Sequence, residues 1–135
     1  MKKVLAFGTF DLFHPGHRNF LEQASQLGET LCICIARDLN VEKIKGKKPK
    51  WNENKRKQEI QNNFPNAQVI LGNENTDKIY ECLSEIKPDV IALGYDQKVY
   101  TEGLEKELEK RVLNTEIIRM KAYKEDVYKS SLMKE

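Results

Sequence analysis

Short apolar runs alternate with amphipathic stretches along the whole chain. Residues 4–7, 31–36, 67–71, 90–93 and 115–120 have strand length and are mostly apolar, with Val, Ile and Leu recurrent. The stretches between them read as helices. One is predicted over 15–27, with Pro15 in the first turn, where its missing N–H costs nothing, and Gly28 as the stop. A second runs from an Asn52 cap toward Phe64 and ends at Pro65. A third starts at Asn75 or Thr76 and runs toward Ile86, before the break at Pro88 and Asp89. A fourth covers 101–113, and a short one opens near Ser130. Between the second strand and the Asn52 cap the chain is polar and lysine-rich, broken by Gly46 and Pro49, and reads as a loop.

This β-α alternation, with strands too apolar to be half exposed, predicts a parallel sheet covered by helices on both faces. In such sheets ligands bind beyond the carboxyl ends of the strands, where the strand order reverses. Residues 8–11, Arg37 with Asp38, and 94–97 each follow a predicted strand, so they are expected to converge on one cleft. No internal repeat, linker or low-complexity segment interrupts the 135 residues, which suit one domain over 1–135 with one core.

Composition narrows the class. Hydrophobic residues make up 39% and charged residues 33% of the chain, the balance of a folded domain rather than a disordered one. No apolar run has the length of a membrane span. The start, Met1-Lys2-Lys3-Val4, is not read as a secretory signal, because its apolar run stops at Gly8 and acidic Asp11 follows. The expected compartment is the cytoplasm. Cys32 and Cys34 fall on one face of a strand, neither they nor Cys82 form a Cys-x-x-Cys pair, and buried free thiols are expected.

Charge is uneven. Residues 41–57 hold eight basic side chains (Lys43, Lys45, Lys47, Lys48, Lys50, Lys55, Arg56, Lys57) against Glu42 and Glu53. That local +6 sits in a chain of net +2, so the remainder is −4. The asymmetry points to an anionic ligand. Nucleic acid fits poorly, since only Trp51 interleaves the basic stretch and the rest of the chain is acidic.

The chain has two histidines, His14 and His17, where the first strand hands over to the first helix. A helix start favours phosphate, through its unpaired N–H groups and partial positive charge. Neither the dinucleotide glycine pattern nor a Gly-x-x-x-x-Gly-Lys-Ser/Thr loop is present. Two imidazoles at a helix start, backed by a lysine-rich loop, would hold phosphate instead.

The block Gly8-Thr9-Phe10-Asp11 with His14-Pro15-Gly16-His17 resembles the His-x-Gly-His nucleotidyltransferases, and the resemblance extends over nearly the whole chain. Ala36-Arg37-Asp38, Lys45-Gly46-Lys47-Lys48-Pro49 and the stretch 86–97 look most like the archaeal-type FAD synthases, and next like the glycerol-3-phosphate cytidylyltransferases. The resemblance implies a Rossmann-like α/β fold, a three-layer α/β/α arrangement with a five-stranded parallel sheet of order 3-2-1-4-5. It also implies transfer of AMP from ATP to the phosphate of FMN, giving FAD and pyrophosphate. Mg2+ or another divalent cation would accompany the triphosphate, with no tightly bound organic cofactor and no metal site on the protein. The alternatives are a CTP-dependent enzyme acting on a small phosphomonoester, and a nucleotide-binding protein without turnover. Homodimers are common in this family.

By the same resemblance, His14, His17 and Lys45 are the catalytic set. Thr9, Phe10, Pro15, Gly16, Asp96, Tyr123, Ser130 and Ser131 are expected to join the histidines around the nucleotide. Lys43, Lys47 and Arg56 are further phosphate candidates, although Arg56 also reads as a helix-surface arginine. Asp38 is expected either to bond a helix start or to meet substrate. Trp51, Tyr80, Tyr95 and Tyr100 are candidates for stacking on a ring, or for ordinary packing.

Overall fold

In the computed structural model the first apolar run becomes β1 (Lys3–Gly8), the middle strand of a five-stranded sheet. The structure describes residues 2–75, 78–94, 97 and 103–121. On one side of β1 lie β2 (Thr30–Ile35) and then β3 (Gln68–Leu71). On the other side lie β4 (Val90–Leu93) and then β5 (Glu116–Arg119). All four pairings are parallel, with Val4 opposite both Leu31 and Val90. The order 3-2-1-4-5 expected from the family is therefore the observed one. It reverses direction after β3, which puts the switch point at the carboxyl ends of β1 and β4.

Alternation along β1 sends its side chains into two cores. Val4 and Ala6 pack with Leu21 and Ala24 of α1 (Pro15–Ser25) and Ile60 of α3 (Glu53–Asn63). Leu5 and Phe7 pack on the opposite face with Cys82 and Leu83 of α4 (Glu81–Ile86) and Leu104 and Leu108 of α5 (Leu104–Lys110). These two sets are the outer layers of the α/β/α sandwich. Each fully buried Leu or Ile in them contributes about 1.5–3 kcal/mol.

The segment read as a lysine-rich loop contains a helix, α2 (Asp38–Lys45). Asp38 lies in its first turn and Lys43 and Lys45 in its last, the charge order a helix dipole favours. Gly46 ends it in the left-handed conformation, φ 83°, with its N–H on the Glu42 carbonyl at 2.9 Å. Apolar periodicity could not reveal α2, because Leu39 is 61% exposed while polar Asn40 is buried.

α3 runs as expected from its Asn52 cap to Asn63, but the other three helices are shorter than expected. α1 ends at Ser25, and Gly28 is not its cap. A Cβ on Gly28 would lie 2.6 Å from the Lys2 carbonyl oxygen and 2.9 Å from Val4 Cγ2, so glycine there permits close passage under β1. α4 begins at Glu81 and stops at left-handed Lys87, just before Pro88. α5 covers 104–110 of the expected 101–113. The short helix expected near Ser130 lies outside the described residues.

Candidate active site

β1 delivers the chain to Thr9, and a tight loop turns it into α1. Phe10 and Leu12 both take left-handed backbone angles in this loop, φ 53° and 51°. Side chains other than glycine avoid that region, so the surrounding contacts must hold it. Buried Phe10 meets His17 edge-on at 5.5 Å and stacks on Phe20 at 6.2 Å. Phe13 lies against the same imidazole at 5.9 Å.

His14 is the N-cap of α1, with extended backbone. Its Nδ1 accepts the Gly16 N–H at 3.1 Å, and its side chain also takes the backbone N–H of His17. In return, Nδ1 of His17 accepts the His14 N–H at 3.4 Å. This is a capping box in which imidazoles replace the usual hydroxyl and carboxylate. The two rings stack with centroids 3.7 Å apart.

This arrangement fixes the chemistry of both rings. A nitrogen that accepts a hydrogen bond carries no proton, so the proton of each neutral imidazole sits on Nε2. A second proton would have to displace a cap bond. Burial lowers the His14 pKa. Burial, then the charge of His14 and then that of Lys45, lowers the His17 pKa to about 3. Near neutral pH the pair is thus two uncharged Nε2–H donors, side by side. Because Pro15 has no N–H and those of Gly16 and His17 go to His14, the expected amide contribution of the helix start shifts to the rings.

Lys45, at the end of α2, donates from Nζ to Thr9 Oγ1 at 3.1 Å. Burial lowers its pKa, opposed by Asp11 and assisted by Arg56 and Lys47. Lys45 therefore stands beside the β1–α1 loop. Exposed Lys43 lies about 200° around α2 from it, and exposed Lys47 lies just past Gly46.

Two acidic residues organise the surroundings. Asp11 accepts the backbone N–H of Lys50 at 2.7 Å and of Trp51 at 2.8 Å, one on each carboxylate oxygen. Sequence reasoning placed Asp11 among the residues expected at the cleft but gave it no role of its own. Asp38 accepts the Glu53 N–H at 3.2 Å, and Glu53 accepts the Asp38 N–H at 2.9 Å. The starts of α2 and α3 thus cap each other, which resolves the alternatives for Asp38 toward a helix start. Glu53 also pairs with Arg37 at 2.9 Å.

Arg56 is not on the helix surface, nor in the cleft. Its side chain is 0% exposed. It donates to the Trp51 carbonyl at 3.0 Å, the Thr9 carbonyl at 2.8 Å and Asp38 Oδ1 at 2.6 Å. A buried charge is tolerated only with such partners. The direct phosphate contact expected of it is replaced by these protein contacts.

Beyond the carboxyl ends of β1, β2 and β3 lies a small open cleft. Phe7, Ala36, Ile79 and Tyr80 make it largely apolar, and Arg37 and Asn40 add polar groups. Asn40 is buried and donates to the Asn73 carbonyl at 2.7 Å. After β4, Gln97 bonds the Phe7 carbonyl at 2.9 Å and the Gly94 N–H at 3.1 Å, tying the two sides of the switch point together. Trp51 carries Lys55 Nζ over its ring at 4.8 Å. Asp96, Tyr123, Ser130, Ser131, Tyr95 and Tyr100 lie outside the described residues. The three cysteines are free and buried, and burial pushes the Cys32 thiol up to about 11. Among the described residues, no three His, Cys, Asp or Glu side chains stand together as a metal site.

Known proteins resemble this chain over most of its length. An FAD synthase of Ferroglobus placidus is 46% identical over 126 residues, covering 93% of this chain and 80% of the relative. An FAD synthase of Methanosarcina mazei is 47% identical over 125 residues, covering 93% and 80%. The crystal structure of a lipopolysaccharide core biosynthesis protein from Thermoplasma volcanium superposes with a TM-score of 0.81 at 35% identity, covering 91% of this chain and 98% of that one. The family described as cytidylyltransferase-like matches residues 5–135. The chain belongs to the cytidylyltransferase-like family of nucleotidyltransferases.

Proposed function

We propose that this protein is an FAD synthase, which transfers AMP from ATP to the phosphate of FMN and releases pyrophosphate. The observation that carries the reading is the stacked His14/His17 pair, held as neutral Nε2–H donors next to Lys45, with an apolar cleft beyond the same strand ends. An isoalloxazine ring needs a wide apolar slot, whereas glycerol phosphate needs a small basic one. Phe7, Ala36, Ile79 and Tyr80 give the cleft an apolar lining, which favours the former, and Arg37 and Asn40 add polar groups to its wall. The relatives bearing the name FAD synthase support the same substrates.

The reaction asks little of proton transfer. A phosphate monoester has a second pKa of about 6, so near neutral pH an FMN phosphate oxygen is already a nucleophile. It attacks the α-phosphorus, the bond from that phosphorus to the bridging oxygen breaks, and the electron pair leaves with pyrophosphate. Negative charge grows on the leaving group and on the α-phosphate oxygens. His14 and His17 donate hydrogen bonds to those oxygens, and the Lys45 ammonium opposes the growing charge. Neither ring has to move a proton, which suits imidazoles whose pKa is lowered by burial. A divalent cation, brought in with the triphosphate, would offset charge on the phosphate oxygens. The Asp11 carboxylate, already bonded to two backbone amides, is not needed to hold it. The same reading puts the protein in the cytoplasm as a homodimer; among the described residues, no helix is long and apolar enough to cross a membrane.

The test is to incubate pure protein with each of the four nucleoside triphosphates and a panel of phosphomonoesters, following pyrophosphate. ATP with FMN is expected to give FAD. Turnover of CTP with glycerol 3-phosphate instead would move the assignment to a cytidylyltransferase, and no turnover with any pair would remove the enzyme reading.

A further inference from the structure

Among the described residues, Arg56 is the largest fully buried side chain, and the reaction described above does not use it. Its three acceptors belong to three different segments. The Thr9 carbonyl is in the β1–α1 loop, one residue before left-handed Phe10. The Trp51 carbonyl closes the segment that follows α2. Asp38 opens α2, the helix that ends in Lys45. A planar guanidinium with five donors suits this task, because it can bond several acceptors in fixed relative directions.

The opposite side of the same junction is closed by Asp11. It belongs to the β1–α1 loop and holds the Lys50 and Trp51 amides. Trp51 is therefore gripped at its N–H by Asp11 and at its carbonyl by Arg56. Through these two grips the lysine-bearing segment 46–52 is registered against the loop that carries Thr9. Lys45 Nζ meets Thr9 Oγ1 inside that frame.

We propose that Arg56 is a positioning residue for nucleotidyl transfer: it acts from beneath the site by locking Thr9, Trp51 and α2 in one geometry, and does not touch the triphosphate. The inference rests on the nucleotidyltransferase reading, but not on the identity of base or acceptor. Loss of the lock displaces Lys45 and the strained loop relative to the imidazoles. A displacement of about 1 Å in such a site costs roughly 100-fold in rate.

Arg56→Lys is the informative variant. It keeps the charge and removes the fork. Two measurements separate positioning from phosphate binding and from simple loss of stability. In steady-state kinetics with whichever pair the wild type turns over, kcat is expected to fall by about 10- to 100-fold, while the KM for the triphosphate changes less than about threefold. In amide hydrogen exchange of the ligand-free protein, residues 9–13 and 46–52 are expected to exchange faster, with β1 and β2 unchanged. The second readout needs no turnover, so it tests the lock even if the wild type proves inactive with every pair. If Arg56→Lys does not fold, Asp38→Asn, which loosens the guanidinium from one side, is expected to show the same pattern at smaller size. A raised KM with unchanged kcat would mean that Arg56 binds phosphate directly. Exchange that rises equally throughout the sheet, or not at all in the two segments, would reduce Arg56 to a stability residue. Either result overturns the proposal.

Discussion

The capping box makes acid the informative perturbation. In the unfolded chain His17 has an ordinary imidazole pKa of about 6.5, and in the folded protein its pKa is lowered to about 3, chiefly by burial. The unfolded state therefore binds a proton at a pH where the folded state does not. Stability from this group is intact above about pH 6.5 and is lost as the pH falls toward about 3. Between pH 7.5 and pH 5 the expected loss is about 2 kcal/mol. His14, also lowered, adds in the same direction. Carboxylates change stability too, so the quantity to measure is a difference. Urea unfolding of wild type and His17→Gln, at half-unit steps from pH 5 to 7.5, isolates it. The variant loses ring packing at every pH, but it should be flatter in pH by about 2 kcal/mol over that range. Equal pH dependence in the two proteins would refute the argument that Nδ1 of His17 is tied up and that the ring stays neutral. So would a His17 ring that titrates near 6.5 by NMR.

Other expectations concern the surroundings. Asp11→Asn replaces one of two carboxylate acceptors by an amide donor facing a backbone N–H, at a cost of about 1–3 kcal/mol. Its Tm should fall by several degrees and its kcat/KM by about tenfold or more; a rate within threefold of wild type would show that the segment does not need this anchor. Lys45→Ala should lower kcat by about 10²-fold without altering the circular dichroism spectrum, and Lys43→Ala should leave the rate near that of wild type. Gly28→Ala forces a Cβ to within 2.6 Å of the Lys2 carbonyl oxygen and should destabilise by about 1–3 kcal/mol in urea unfolding. A neutral result would mean that β1 shifts freely at that crossing.

The strands were legible because a parallel sheet covered on both faces needs nearly continuous apolar runs, and the chain has them. β1, β2 and β4 read directly from Val4 to Phe7, Leu31 to Ala36 and Val90 to Leu93. α2 was hidden, because its buried positions are Asn40 and Val41 while Leu39 faces outward, so no apolar stripe marks it. The histidine pair was legible from spacing alone. Its electronic state was not, since that depends on which backbone N–H groups reach Nδ1. Arg56 shows the limit most plainly. A chain cannot announce that an arginine will be buried, because the acceptors that permit it come from Thr9, Asp38 and Trp51, brought together only by folding. The glycine at position 28 was read as a helix stop for a similar reason: it passes beneath β1, and Val4, which a Cβ there would strike, is 24 residues away from it in sequence.

The central claim is that two neutral imidazoles and Lys45 grip a polyphosphate at the end of β1. A crystal structure with a non-reacting ATP analogue, methylene-bridged between the α- and β-phosphates, tests it most directly. The account predicts phosphate oxygens about 2.7–3.2 Å from Nε2 of His14 and His17, with both Nδ1 atoms still on their backbone partners and Lys45 Nζ turned to the same chain of phosphates. A triphosphate bound elsewhere, or one approached by the Nδ1 edges with the capping box broken, would contradict it.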